Sequence, residues 1–169
     1  FGGANRDATP ADIARAAVDA GADRIRFCDT VGILGPSQAA TKIATLIQEV
    51  DIPIEIHAHN DFGMATANSL EGFKAGAEFI SVTVNGLGER AGNAAVEEIV
   101  MALRVRSDRL PYATNIDARQ LYPASEMLTS LTGQGVQVNK AVVGRNAFAH
   151  EAGIHQDGML KDRRTYEIM

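Results

Sequence analysis

Helix and strand signals alternate strictly over the first hundred residues, and each strand signal is short, apolar and followed by polar residues. That alternation confines the chain to a parallel sheet, because parallel strands must be joined by crossover segments and those crossovers are right-handed. Thr9 is placed to cap a first helix, with Pro10 in its first turn, Asp12 close behind, and an apolar stripe of Ile13, Ala16, Ala17 and Ala20. Gly21 ends that helix and a strand is expected over 24–28. Pro36 and Ser37 start a second helix whose Ile43, Leu46 and Ile47 share a side. The next strand is expected over 52–56, with Pro53 tolerated only near its start. A third helix over 64–75 stops at Gly76, a strand follows over 79–84, and a fourth helix from Ala94 to about Arg104 carries Val96, Ile99, Val100 and Leu103 on one face. Ala20-Gly21-Ala22 and Ala75-Gly76-Ala77 recur at equivalent helix-to-strand junctions.

A closed barrel takes eight strands and about 250 residues, so three strands give an α/β partial barrel: about three βα units from the C-terminal part of a TIM (β/α)8 barrel. An open doubly wound sheet is the competing arrangement. After Arg106 the pattern changes. Residues 108–115 read as a linker, 117–131 as one or two helices interrupted at Pro123 and ended by Gly133, and 138–169 as a stretch of little periodicity. The expected division is 1–106 for the partial barrel and 107–169 for the start of a mainly helical linker subdomain.

Composition narrows the functional classes. With 46% hydrophobic and 22% charged residues the chain belongs among soluble globular proteins. No apolar run approaches the roughly 20 residues of a membrane span, and no basic-then-apolar leader opens the sequence. The start at Phe1 without an initiator methionine suggests a piece of something longer. A net charge of -5 and a pI near 5.3 argue against a nucleic-acid or anionic-membrane surface and favour a cytoplasmic protein acting on small molecules. Cys28 is the single cysteine, which excludes an internal disulfide, and its place in an apolar strand predicts an inert core thiol.

The polar chemistry gathers at the expected strand ends: Asp29, Thr30, His57, His59, Asn60 and Asn85. On a strand, residues i and i+2 share a side, so His57 and His59 aim two imidazoles at one point and can hold a divalent metal. Such pairs also occur as ordinary histidines, and two ligands are too few. Asn93, at the end of the glycine-rich segment 85–93, can supply a third, oxygen ligand; spacing alone favours it as a helix N-cap. Asp29 reads as a structural carboxylate binding backbone amides. Gly86, Gly88 and Gly92 fit an ordinary turn as well as a binding loop, and Glu89 and Arg90 can pair with each other or with neighbours. His150 and His155 lie between glycines near the C-terminus, where spacing leaves structural and catalytic roles equally open.

Together Cys28-Asp29-Thr30-Val31-Gly32, His57-Ala58-His59-Asn60-Asp61, the segment 85–93 and the segment 146–158 resemble the acyl-CoA condensing branch of the metal-dependent aldolase-like barrels. The 2-isopropylmalate synthases come first, with homocitrate and citramalate synthases as close relatives. The resemblance implies condensation of acetyl-CoA with a 2-keto acid, 2-ketoisovalerate in the leading case, on a divalent metal (Mn2+, Mg2+ or Zn2+). It makes His57, His59 and Asn93 metal ligands and Thr30 the residue that holds the keto-acid carboxylate. It places the loop with Asn85, Gly86 and Gly88 on the coenzyme side, and has His155 reach into a partner subunit's site to assist deprotonation of acetyl-CoA. It also implies a homodimer whose linker crosses between subunits. The Asp-Arg-Glu motif of the family's first strand, a further ligand source, does not occur in this sequence, nor do the strands that select the keto acid or the C-terminal sensing domain. The chain by itself is therefore expected to bind metal weakly and to be inactive. A non-catalytic dimerisation piece is the reading from a different class.

Overall fold

In the computed structural model the chain is described over residues 8–147, 149 and 152–162. It folds as two compact units, one ending at Ala94 and the other beginning at Ala95.

In the first unit, helix α1 (Pro10–Asp19) begins with a reciprocal cap: Asp12 N donates to Thr9 Oγ1 at 3.2 Å, and Thr9 N donates to Asp12 Oδ2 at 2.8 Å. Strand β1 (Ile25–Asp29), helix α2 (Pro36–Glu49), strand β2 (Ile54–Ala58), helix α3 (Ala65–Lys74) and strand β3 (Phe79–Ser81) follow. Among the described residues the strands form one parallel sheet in the order β1-β2-β3, with Phe27 beside Ile56 and Cys28 beside His57. Pro53 stands just outside β2, where its carbonyl accepts from Ile25 N at 3.0 Å and its missing N–H costs the ladder nothing.

Sequential strand order without a reversal is barrel-type winding: every right-handed crossover then lays its helix on the same face. Ile25, Phe27, Ile54, Ile56 and Ile80 point to that face and pack with Ala14, Ala39, Ile43, Leu46 and Ala77. Helix α3 comes so close to the sheet that a Cβ at Gly72 would lie 2.5 Å from Ile56 Cδ1. The opposite face is polar. Glu55 is buried there between Arg26 Nε at 2.7 Å and Arg24 Nε at 3.3 Å, and the Arg24 guanidinium lies 4.9 Å from the centre of the Phe79 ring.

In the second unit, α4 (Val96–Val105) buries Ile99, Val100 and Leu103, together with Glu97, whose carboxylate lies 3.2 Å from Lys140 Nζ. A single 3-10 turn (Ala118–Gln120) leads into α5 (Leu121–Thr132), which ends at Gly133 in the left-handed region. Helix α6 spans Gly153–Lys161.

Several sequence expectations change. The break expected at Pro123 falls before Leu121, because Pro123 sits in the first turn of α5, where no backbone N–H has a helical acceptor to lose. The segment read as aperiodic contains α6, which alternates Gly, His, Gln and Asp with few apolar residues and so gives no stripe to read. β3 stops at Ser81, and 84–86 form a 3-10 turn in place of strand. α4 begins at Val96 with Ala95 as its cap residue, which removes the capping role from Asn93. Cys28 is exposed, on the polar face of the sheet, and partial burial raises its thiol pKa above the ordinary value. No described helix is long and apolar enough to cross a membrane.

Candidate metal centre at the strand ends

The carboxyl ends of the strands form one polar rim. Asp29 is buried, and its two oxygens accept from Ile33 N at 3.2 Å and Leu34 N at 3.1 Å, which shapes the loop after β1 as a structural carboxylate does. Thr30 follows it and is exposed. After β2, the Asn60 side chain accepts from Ala65 N at 3.0 Å and so starts α3, while Asn60 N donates to Gly92 O at 2.9 Å. That bond joins the second loop to the glycine-rich one.

His57 is the last but one residue of β2, and His59 lies just past its end, paired across an isolated bridge with Asn93. The imidazoles stand edge to face, centroids 5.0 Å apart. The Asn93 amide lies between them, 3.4 Å from His57 Nε2 and 3.5 Å from His59 Nδ1. Ligand atoms around an ion with bonds of about 2.1 Å are roughly 3.0 to 3.4 Å apart, from octahedral to tetrahedral. The two separations from the amide are close to the upper end of that range, and a half-turn of the amide presents its oxygen to both rings. Gly88 makes room for the amide, since a Cβ there would overlap Asn93 Oδ1. His59 and Asn93 are both buried.

The electrostatics agree with a ligand role. Burial first, and then the charge of His59, pushes the His57 pKa below its ordinary 6.5, so the ring is neutral at neutral pH and its lone pair is available. His57 Nδ1 lies 2.9 Å from Ser81 Oγ, which fixes the ring with Nε2 toward Asn93. Ser81 escaped the sequence reading; the signal was there only once the register of β2 and β3 was known, since Ser81 is the cross-strand partner of His57. Among the described residues no three His, Cys, Asp or Glu side chains gather at a metal-holding distance, so the candidate donors at this rim are the two imidazoles and the Asn93 amide.

Asn85 and Gly86 occupy the 3-10 turn, both with positive φ (61° and 68°), and Gly88 follows on the open rim. His155 falls in α6, and its side chain lies outside the described residues, as does all of His150. Arg90 pairs with Asp61 rather than with Glu89: Nε donates to Oδ1 at 2.8 Å and Nη2 to Oδ2 at 2.9 Å, and this guanidinium holds the Asp61 carboxyl below the usual carboxylate range.

A family model described as HMGL-like matches residues 4–128, and one described as homocitrate synthase post-HMGL domain-like matches 142–169. A 2-isopropylmalate synthase of Caulobacter sp. (strain K31) is 55% identical over 157 residues, 90% of this chain and 30% of that protein. The 2-isopropylmalate synthase 2 of Caldanaerobacter subterraneus subsp. tengcongensis is 54% identical over 93% of the chain and 40% of its own length. The chain thus spans less than half the length of these curated relatives. Among solved structures, an HMG-CoA lyase from Acinetobacter baumannii in complex with coenzyme A and 3-methylmalate superposes with a TM-score of 0.66 at 25% identity, over 83% of this chain and 47% of that one. Rhizobium etli pyruvate carboxylase superposes with a TM-score of 0.64 at 26% identity, over 73% of this chain and 12% of that one.

Proposed function

This chain belongs to the HMGL-like family, and we propose from that premise that it is the C-terminal part of the catalytic (β/α)8 barrel of an acyltransferase that condenses acetyl-CoA with 2-ketoisovalerate to give 2-isopropylmalate. The observation that carries the proposal is the convergence of His57, His59 and Asn93 at one end of a parallel sheet wound in barrel fashion. In this reading residues 1–106 are barrel and 107–169 begin the linker subdomain; the separate family match over 142–169 supports a second region near the C-terminus, while the HMGL-like match itself runs on to 128.

His57, His59 and Asn93 would hold a divalent metal, Mn2+, Mg2+ or Zn2+, which supplies Lewis-acid stabilisation of negative charge on the keto oxygen. Ser81 Oγ can accept from His57 Nδ1–H, and in that tautomer Nε2 is free to bind. Thr30, exposed beside the site, donates its hydroxyl to the keto-acid carboxylate. The loop with Asn85, Gly86 and Gly88 lies along the acetyl-CoA. His155 acts in the partner subunit's site of a homodimer, as an imidazole titrating near working pH and relaying the proton taken from the acetyl methyl group. The carbanion so formed bonds to the keto carbon, and water then cleaves the thioester and releases coenzyme A. A cytoplasmic location accords with these soluble small-molecule substrates.

The test is release of coenzyme A thiol from acetyl-CoA by the full-length protein, offered 2-ketoisovalerate, 2-ketoglutarate and pyruvate in turn, with and without a chelator. Chelator-sensitive release with 2-ketoisovalerate alone is the expected result. Preference for 2-ketoglutarate or pyruvate moves the assignment to a homocitrate or citramalate synthase. No release with any acid contradicts the condensation chemistry.

A further inference from the structure

Resting on that functional reading, we infer that Arg90 is a positioning residue that ties the loop bearing Thr30 to the metal-ligand rim, and so sets the affinity for the keto acid rather than for the metal. Its guanidinium is shared by the loops after all three strands. It forks onto Asp61 in the loop after β2 and, through Nη2, donates to Thr30 O at 2.7 Å in the loop after β1, while Arg90 itself belongs to the loop after β3. Three charge-assisted hydrogen bonds in one plane use the fixed fork of arginine, which a lysine's single ammonium cannot reproduce.

Two backbone features show that the tie is built in. Arg90 has φ +54°, a left-handed conformation that a non-glycine residue adopts only where its surroundings impose it. Across the tie, Gly32 also has positive φ, and a Cβ there would overlap Asp61 Oδ2, so the loop after β1 lies directly under the carboxylate that Arg90 grips. The Thr30 carbonyl is thereby pinned relative to Asp61, which is two residues from His59. None of these bonds reaches His57, His59 or Asn93 themselves. The tie is therefore placed to act on Thr30, the carboxylate holder, and leaves the metal ligands in their own contacts.

The experiment compares full-length wild-type protein with the Arg90→Ala, Arg90→Lys and Asp61→Asn variants by three readouts: KM and kcat for 2-ketoisovalerate, Mn2+ affinity by titration, and amide exchange over residues 30–34. The expected result is KM for the keto acid raised at least about tenfold with Arg90→Ala, and by less with Arg90→Lys, because alignment of a bound substrate is sensitive to small displacements. The expected kcat and Mn2+ affinity stay within about threefold, and exchange over 30–34 becomes faster in each variant. An unchanged KM, or loss of Mn2+ binding in parallel with activity, overturns the inference. If wild type releases no coenzyme A, the functional reading fails by itself, and the exchange readout still judges the tie: unchanged exchange in all three variants overturns it.

Discussion

Ser81 Oγ lies 2.9 Å from His57 Nδ1, and the partner on a ligand histidine's second nitrogen governs both tautomer and ring orientation. Ser81→Ala is expected to lower metal affinity about 10- to 100-fold, measured by Mn2+ titration of the full-length protein; unchanged affinity would take Ser81 out of the site. Cys28 gives a second test. Its thiol is exposed, yet partial burial raises its pKa above 9.0, so the thiolate is scarce at neutral pH. Alkylation of this residue by iodoacetamide is expected to be slow at pH 7 and to accelerate as pH passes 9; rapid labelling at pH 7 would contradict the direction of that shift. The sequence predicted a core thiol, and the structure corrects that: strand alternation puts Cys28 opposite the helices, a side that local hydrophobicity does not reveal. Spacing brought His57 and His59 together because alternation is local, whereas Asn93 and Ser81 reach His57 through long-range register. The same holds for the pairing of Arg90 with Asp61, which no neighbouring residue signals.

Among the elements, the helices with caps and stripes were legible. Thr9-Pro10 and Pro36 mark helix starts, and Ile43 and Leu46 are buried as their spacing predicts. Removing the first cap with Thr9→Ala is expected to cost about 1 kcal/mol, read from the shift of a denaturant midpoint; a change below a few tenths would mean that the reciprocal bonds with Asp12 contribute nothing. α3 depends on a different feature, the close approach at Gly72. Gly72→Val would drive methyl groups into Ile56 and Ile43 and is expected to destabilise by about 1–3 kcal/mol, while an unaffected unfolding midpoint would show that α3 stands farther from the sheet. Elements without a periodic stripe escaped the reading. α6 has none, and the tight turn over 84–86 depends on left-handed residues such as Asn85, which an apolar run from Phe79 to Val84 conceals.

At the scale of the molecule, strand order is the decisive fact. The sequence left a barrel and an open doubly wound sheet both available, because alternation of helix and strand fits either; β1-β2-β3 in order, with helix contacts on one face, favours the barrel. Among the described residues β1 and β3 each pair only with β2, and the polar face carries Arg24 and Arg26 half-exposed around buried Glu55. Unpaired strand edges invite pairing with another chain, so residues 1–169 expressed alone are expected to self-associate in sedimentation analysis; a monodisperse monomer with a single cooperative unfolding transition would contradict that. The central claim is that the strand-end imidazoles and the Asn93 amide share one cation. Its most direct test is pulsed EPR of Mn2+ bound to the full-length protein. Nitrogen couplings from two imidazoles, one of them lost in His57→Ala and another in His59→Ala, are the predicted result, and a Mn2+ spectrum without imidazole nitrogen would contradict the account.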